Sequence, residues 1–310
     1  MKNTTLAIAI PTYDRAEIVR DNLLSIISEI KEYSIPIYVS DNSPNDDTKN
    51  VINELKKHYE FLFYYKNTID LGHDKNSFYV AQLPESDYVW LLGDALSLVK
   101  GAIKNVLLTI ERYKPEIISV NAVNRNLDNK SGLYTDCNSV LDELGWHLTL
   151  TGVTIYSRNT LSTINKVETK NFKNFPQLAL IFNFLSKNCS FFWDNNEWVI
   201  ASPKKRGYWL SAMFSIFVDD WSNAIRNLPQ SYKEGIKEKV IIEHSLKTNT
   251  FGFRALLRAR SLGAYDLKLF RQYNKELLRH SNLNFVILLM ITFIPKTLLR
   301  TFLAINSFFR

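Results

Sequence analysis

LAIAIPTYDRAEIVRDNLLSIISEIKEY, residues 6–33, decides the fold class. Leu6 to Ile10 is an unbroken apolar run of strand length, and a strand that does not alternate is buried on both faces. From Asp14 the period changes. Ile18, Val19, Leu23, Ile26, Ile27 and Ile30 recur at helical spacing, with Asp14 placed to cap the helix. The strand-then-helix unit repeats. IPIYVS (35–40) reads as a second strand and NDDTKNVINELKKHY (45–59) as a second helix, its opening acids suited to the helix dipole. FLFYY (61–65), YVWLL (88–92) and EIISV (116–120) supply three more strands. The first part of the chain is therefore α/β, a mostly parallel sheet with helices on both faces.

In such a sheet, ligands bind beyond the carboxyl ends of the strands. That rule gathers PTYDR (11–15), DNSPND (41–46), NTIDLGHDKN (67–76) and GDALSL (93–98) onto one rim. No GxGxxG follows the first strand, which disfavours a dinucleotide-dependent oxidoreductase. PTYDR offers instead a rigid turn, a hydroxyl and an aromatic ring, parts suited to a base and ribose. Asp41 is placed to accept a hydrogen bond from either. Each also has a plainer reading: Asp41 as a turn cap, Pro11 as a strand end.

The 310 residues, 46% of them hydrophobic, can bury a sizeable core. The net charge of +7 is spread without a basic, aromatic-interleaved stripe, so no nucleic-acid partner is expected. Cys137 and Cys189 stand far apart, outside any CxxC pattern, and read as packing residues in a reducing compartment. The N-terminal apolar run is too short for a signal peptide and ends in Pro11, so export is not expected.

AIAIPTYDRAEIVRDNLLSI, IYVSDNSPNDDT, NTIDLGHDKN and YVWLLGD stand in the order and spacing of a known family. Over residues 5–125 the chain resembles the family 2 glycosyltransferases of the GT-A fold, Rossmann-like. It is most similar to the bacterial O-antigen and capsule branch that includes abequosyltransferase-like proteins. The resemblance implies a nucleoside diphosphate sugar donor. Carried over by position, Pro11, Thr12, Tyr13 and Arg15 line the nucleoside side, and Asp41 with Asn42 contacts the base region. Asn67, Gly72 and Asn76 match the family's N-x-x-x-x-G-x-x-x-N stretch, and Asp94 matches the first acid of its D-x-D element. A divalent cation, Mn2+ or Mg2+, is implied at Asp94, because a hard cation offsets the charge growing on the departing diphosphate.

The chain departs from the family at two places. After Asp94 come Ala95 and Leu96, where further acids are expected. Three explanations stand side by side: Asp94 suffices with the donor's oxygens, position 95 has been altered from an acid, or the donor is bound with little dependence on metal. Asp94 also has a plainer reading as an N-cap for the helix in SLVKGAIKNVLLTIERY (97–113). The second departure concerns the catalytic base. Relatives carry a Glu-Asp pair about where NFPQLAL (174–180) stands, and Pro176 and Gln177 replace it. Asp194 in WDNNEW, desolvated beside Trp193, and Asp142 in LDEL are the candidate bases, with Glu197 and Glu143 as the carboxylates beside them and His147 as a further proton acceptor whose plainer reading is packing. WDNNEW also reads as an exposed turn.

Residues 126–210 are expected to complete the acceptor half, with LTGVTIYSR (150–158) as a strand, and 211–310 to be helical. From Phe253 to Arg310 ten Lys and Arg face two acids, a net of +8. FVILLMITFI (285–294) is half a membrane span, and KTLLRTFLAINSFFR (296–310) is amphipathic, with Lys296, Thr297, Arg300, Thr301 and Ser307 opposite Leu298, Leu299, Phe302, Leu303, Ile305 and Phe309. Residues 283–310 are accordingly expected to lie on an anionic bilayer, with packing on the main domain as the alternative. The expectation is an inverting glycosyltransferase on the inner face of the cell membrane with a polyprenyl-linked saccharide acceptor. The rival is a catalytically impaired, nucleotide-binding or scaffold relative.

Overall fold

The computed structural model describes residues 4–125, 127–202 and 208–307. Its first part alternates as the apolar periods require: β1 (Leu6–Thr12), α1 (Ala16–Glu32), β2 (Ile37–Asp41), α2 (Asp47–Lys56), β3 (Leu62–Lys66), α3 (Gly72–Gln82) and β4 (Tyr88–Leu91). There follow β5 (Leu96–Leu98), α4 (Ala102–Tyr113), β6 (Ile117–Ala122), β7 (Gly132–Tyr134), α5 (Cys137–Leu144), β8 (Thr154–Ser157), α6 (Arg158–Leu161), α7 (Pro176–Leu185) and β9 (Phe191–Ala201). The remainder is helical: a wide π turn (Ser215–Asp220), then α8 (Trp221–Arg226), α9 (Glu234–Thr248), α10 (Phe253–Leu262), α11 (Leu267–His280), α12 (Phe285–Phe293) and α13 (Lys296–Ser307).

The described strands form one sheet in the order β3-β2-β1-β4-β8-β6-β9-β5, with β7 on β9. The β3-β2-β1-β4 half is parallel throughout, as the doubly buried runs require. Beyond β4 the sheet is mixed: β8 is antiparallel to β4 and β6, while β9 runs parallel to β6 and antiparallel to β5 and β7. The boundary read at residue 125 thus falls between strands of one sheet.

Three local expectations are corrected. Asp14 does not cap α1; it takes a positive φ of 51° and gives its N–H to the Ser43 hydroxyl at 2.8 Å, and the helix opens two residues later. WDNNEW is not a turn, because the chain stays extended through β9 and absorbs its polar run as an irregularity in the β6 pairing. The strand read over 150–158 is confined to β8, with tight 3-10 turns before it.

Apolar layers cover both faces of the sheet, and a third cluster lies under the last helices, where Phe214 stacks on Tyr265 and Tyr273. Among the described residues no helix is long and apolar enough to cross a membrane. Helix α13 docks on the body through Leu299, buried at 7% exposure, while Lys296, Thr297 and Thr301 stay exposed; the Arg300 Nε donates to Ser261 O at 2.9 Å, and just before the helix Ile294 O accepts the Arg260 Nε at 2.9 Å. That packing turns an apolar face outward, with Phe285, Val286, Met290, Phe293 and Leu298 all exposed. Phe309 and Arg310 of the tail lie outside the described residues, and of Phe302, Leu303, Ile305 and Ser307 only the helical backbone is described.

Candidate active site

Parallel register brings the ends of β1, β2 and β3 level, with Thr12 beside Asp41 and Asp41 beside Lys66. The polar residues there bind one another. Asp41 is fully buried and accepts from the Ser43 N–H and the Tyr64 hydroxyl, both at 2.8 Å, and from the Ser43 hydroxyl, with the Lys66 ammonium 3.7 Å away. Burial, then this carboxylate, pushes the Tyr64 phenol far up, so the bond keeps its proton. The Asn67 amide donates to Asn42 Oδ1 at 2.6 Å and Ser40 Oγ at 3.0 Å, while Asn76 accepts from Ser40 Oγ at 2.6 Å and donates to Ser40 O at 3.1 Å. Asn42 reaches Asp70 at 2.8 Å, and Gly72, at φ 73°, turns the chain into α3. The structure thus brings Thr12, Asp41, Asn42, Asn67, Gly72 and Asn76 together as one braced rim. Pro11 is buried inside β1, and Tyr13 stands exposed.

Asp94 is 8% exposed. Its Oδ2 accepts the Thr12 hydroxyl at 3.0 Å, its Oδ1 the Arg15 Nη1 at 2.9 Å, and its backbone carbonyl the Asn22 amide. It is not a helix cap, for Glu29 of α1 takes the free N–H groups of Gly101 and Ile103 at the start of α4, at 3.0 and 2.9 Å. Leu96, at the place of the second acid of a D-x-D, is buried at 4% exposure and opens β5. Its side chain fills the room left by Gly152, where an added Cβ would lie 2.1 Å from Leu96 Cδ1. That position is therefore an apolar packing site. Among the described residues no group of three His, Cys, Asp or Glu side chains could hold a metal ion. The expected cation role of Asp94 does not fit this donor set: both carboxylate oxygens are engaged, one by a guanidinium, and no other acid is among the described residues lining the cleft.

Asp94 borders a cleft of about 470 Å³. On one side stand Arg15, His73 and Gly93–Leu96; on the other, Phe175, Trp209, Phe217, His244 and Thr248–Thr250. The π turn places Phe217 against His244, rings stacked at 5.1 Å, with Trp209 edge-on to Phe217 at 5.6 Å. His244 is buried and its Nδ1 has no hydrogen-bond partner among the described residues. Burial, reinforced by Arg125, pulls its pKa down to about 3, so the ring is neutral. Arg125 enters the cleft from the end of β6, lies over the Trp146 indole at 5.2 Å, and remains cationic although burial lowers its pKa to about 10. A larger, shallower hollow of about 540 Å³ between α1 and α2 shares Arg15 but neither Asp94 nor the aromatic wall. The cleft is thus the better candidate.

Residues 7–179, more than half of the chain, match the sequence profile described as glycosyl transferase family 2. The chain belongs to glycosyl transferase family 2. It is 33% identical over 100 residues to the abequosyltransferase RfbV of Salmonella typhimurium, a match covering 32% of this chain and 30% of that protein. The chain thus spans under a third of the length of that curated relative. Among solved structures it is similar to S. aureus TarS 1–349 in complex with UDP-GlcNAc, with a TM-score of 0.58 at 13% identity over 89% of each chain. It is similar also to the mannosyltransferase PcManGT of Pyrobaculum calidifontis in complex with GDP-Man and Mn2+, with a TM-score of 0.59 at 14% identity over 96% of this chain and 88% of that one. At these identities the likeness establishes the fold, a GT-A-like α/β architecture.

Within the family frame, the carboxylates expected to act as base lie elsewhere. Asp194 is 3% exposed and does not line the cleft. Its oxygens accept the Trp198 indole N–H at 2.6 Å, the Asn196 N–H at 3.0 Å and the Asn105 amide, so it braces the irregular stretch of β9. Asp142 pairs with Lys239 at 2.6 Å where α5 meets α9, and Glu143 accepts the Tyr134 hydroxyl at 2.6 Å. Glu197 accepts the Asn124 N–H at 3.3 Å, and His147, fully buried, bonds Val120 O at 2.9 Å. Gln177, in the first turn of α7, is buried and donates to Thr149 O at 3.2 Å, holding the turn that lines the cleft.

Two carboxylates do reach the start of α7. Asp74 accepts the Asn174 N–H at 3.2 Å, and Asp220 accepts the Asn174 side-chain amide at 2.7 Å. Burial raises the Asp74 pKa, with Asp220 adding to the rise against the opposing pull of His73 and Lys173. The sequence reading passed over these two acids, together with Arg125, Trp209, Phe217 and His244. Their positions 74, 125, 209, 217, 220 and 244 share no spacing that a motif would mark. The one local signal was the Asp-Asp pair beginning at 219 in an otherwise apolar run.

Proposed function

We propose that this chain transfers one sugar, with inversion, from a nucleoside diphosphate sugar to a lipid-linked saccharide in the synthesis of a surface polysaccharide of the O-antigen or capsule type. The observation that carries the reading is the meeting of Thr12, Arg15 and Asp94 at the carboxyl ends of β1 and β4, facing a cleft whose far wall is aromatic. Charge at the near wall suits a diphosphate, and rings on the far wall suit the C–H faces of a saccharide. Inversion requires a proton acceptor on the face opposite the leaving group. Asp220 and Asp74 do not line the cleft themselves, but both bond Asn174, which does, and on that ground they replace Asp194 and Asp142 as candidates for that role. Asp220→Asn or Asp74→Asn should then lower kcat by roughly 100-fold or more, within the range of general base catalysis. Asp194→Asn should act on stability instead.

The acceptor's lipid and the location on the inner membrane face are supported by the exposed apolar face of α12 and α13 on a segment carrying excess positive charge. Replacing Val286, Met290 and Phe293 together by Ser should abolish sedimentation with anionic vesicles while leaving the melting temperature unchanged. Equal sedimentation of the variant removes the membrane part of the reading.

The buried Leu96 favours a second reading, a nucleotide-binding relative that has lost turnover. Nucleotide release from a panel of nucleoside diphosphate sugars, with extracted lipid-linked saccharide as acceptor, separates the two. Tight nucleotide binding without turnover, in the wild type and in Ala95→Asp alike, sinks the enzymatic reading.

A further inference from the structure

We propose that this chain holds the diphosphate of its donor through two arginines, Arg15 and Arg125, and needs no divalent cation to bind it. The inference rests on the nucleotide-sugar reading of the cleft and departs from the metal that the family resemblance implies.

Four observations lead there. The first is the state of Asp94. A cation bound to a carboxylate sits about 2 Å from its oxygen, but Oδ1 already holds the Arg15 Nη1 at 2.9 Å and Oδ2 the Thr12 hydroxyl at 3.0 Å. A cation on Oδ1 would crowd a guanidinium of the same sign. The second is Leu96. Its side chain is locked into the gap at Gly152, so the neighbouring position supplies no oxygen ligand.

The third is the sign of the cleft. Among its lining residues Asp94 is the acid, against Arg15 and Arg125, and buried His244 is neutral. The fourth is Arg125 itself. Among the described residues no carboxylate pairs with it; its guanidinium lies over Trp146 and makes a 3.4 Å hydrogen bond to His147 O. The Lys247 ammonium approaches the same indole at 5.7 Å, its own charge countered by Glu243 at 3.0 Å. A half-buried cation without a counter-charge is costly, and an incoming anion removes that cost.

Arginine is suited to this task. Its planar fork offers five N–H donors and grips phosphate through two of them at once. The bond to Asp94 uses one terminal nitrogen of Arg15, so the rest of the fork can serve a phosphate while Asp94 and Thr12 hold it in aim. Arg15 and Arg125 border the same cleft, so a diphosphate between them would meet a charge from either wall.

The test is calorimetric titration of the full chain with UDP, GDP, CDP and dTDP, each in excess EDTA and in Mn2+. For the nucleotide that binds, the wild-type Kd should agree within about twofold between the two conditions. Arg15→Gln and Arg125→Gln should each weaken it by roughly ten- to a hundredfold, the worth of a charge-assisted hydrogen bond. Arg125→Lys, which keeps the charge without the fork, should fall between. Thermal melts of each variant show whether a loss of binding is a loss of fold, and the EDTA comparison uses wild-type protein alone. Binding that collapses in EDTA overturns the inference and leaves the nucleotide reading standing. An Arg125→Gln protein that binds like wild type overturns the two-arginine site. Failure of all four nucleotides under both conditions overturns the nucleotide reading and this inference together.

Discussion

The two walls of the cleft are built on opposite principles. Behind the wall formed by β1 to β4, outside the cleft lining itself, polar side chains are spent on each other: Asp41, Asn42, Asn67 and Asn76 are cross-bonded into a rim that needs no ligand to be satisfied. On the wall contributed by β6 and the late helices, Arg125 lacks a carboxylate among the described residues and the Nδ1 of His244 lacks any partner. The first wall is preorganised; the second is completed by what binds. A nucleoside, common to many reactions, suits a fixed rim, whereas the second wall offers Arg125 to the donor's diphosphate and its aromatic rings to an acceptor that differs between polysaccharides.

The comparison can be broken by mutation, and the largest effect should come from the second wall. Trp221, fully buried at the junction of α8 and α9, donates to Ile241 O at 3.1 Å and packs on Phe175 and His244. Trp221→Ala should cost about 3–5 kcal/mol in denaturant unfolding. A loss below 1 kcal/mol by the same measure would mean that wall is not held by its aromatic core.

Acid should come next. His147 and His244 have native pKa values of about 3 against 6.5 when unfolded, in both cases first through burial. The unfolded chain takes up protons below pH 6.5 that the native chain does not, so stability must fall as pH falls. The loss should be roughly 1.5 kcal/mol for each histidine between pH 6.5 and 5, and His244→Phe should remove one share of that slope. A flat profile between those values contradicts the buried neutral rings.

On the first wall, Asn76→Ala strips the partner from Ser40 and frees Asn67. The expected cost is on the order of 1–2 kcal/mol, with a matching loss of nucleotide affinity. A stability loss without any change in affinity would show that the rim braces the sheet but does not shape the pocket.

The smallest effect tests Asp74. Its pKa is raised by burial, so the fold prefers the protonated acid, and that preference is lost as pH rises through the native pKa. Asp74→Asn should therefore raise the melting temperature slightly at neutral pH, and the gain should vanish in acid. A variant less stable than wild type at neutral pH would show that the Asn174 bond outweighs the burial.

Much of the first wall was legible in the sequence. The change of period at Asp14 gave strand and helix, and the placement of polar turns after successive strands put Thr12, Asp41, Asn67 and Asp94 on one rim. What misled was local as well. WDNNEW looks like a turn because its side chains are polar, yet Asp194 is satisfied by groups that the extended strand brings round to it, Trp198 and Asn196 from its own strand and Asn105 from α4. The amphipathic tail carries two readings in sequence, a bilayer interface and packing on the main domain. The structure buries Leu299 and leaves Leu298 outside, and ties the largely exposed Arg300 to the body by one bond to Ser261 O at the end of α10.

The sequence by itself determined the α/β class, the order of the parallel strands' motifs and the identity of the rim, because hydrophobic period and turn chemistry act over a few residues. Only the tertiary structure decided what Asp94 is. Its partners Thr12 and Arg15 lie 82 and 79 residues away, and Leu96 is closed off by Gly152 from a later part of the chain. Whether a carboxylate is free to hold a metal depends on which groups already satisfy its oxygens. That is settled by long-range docking of β1, β4 and their loops, which no local pattern encodes.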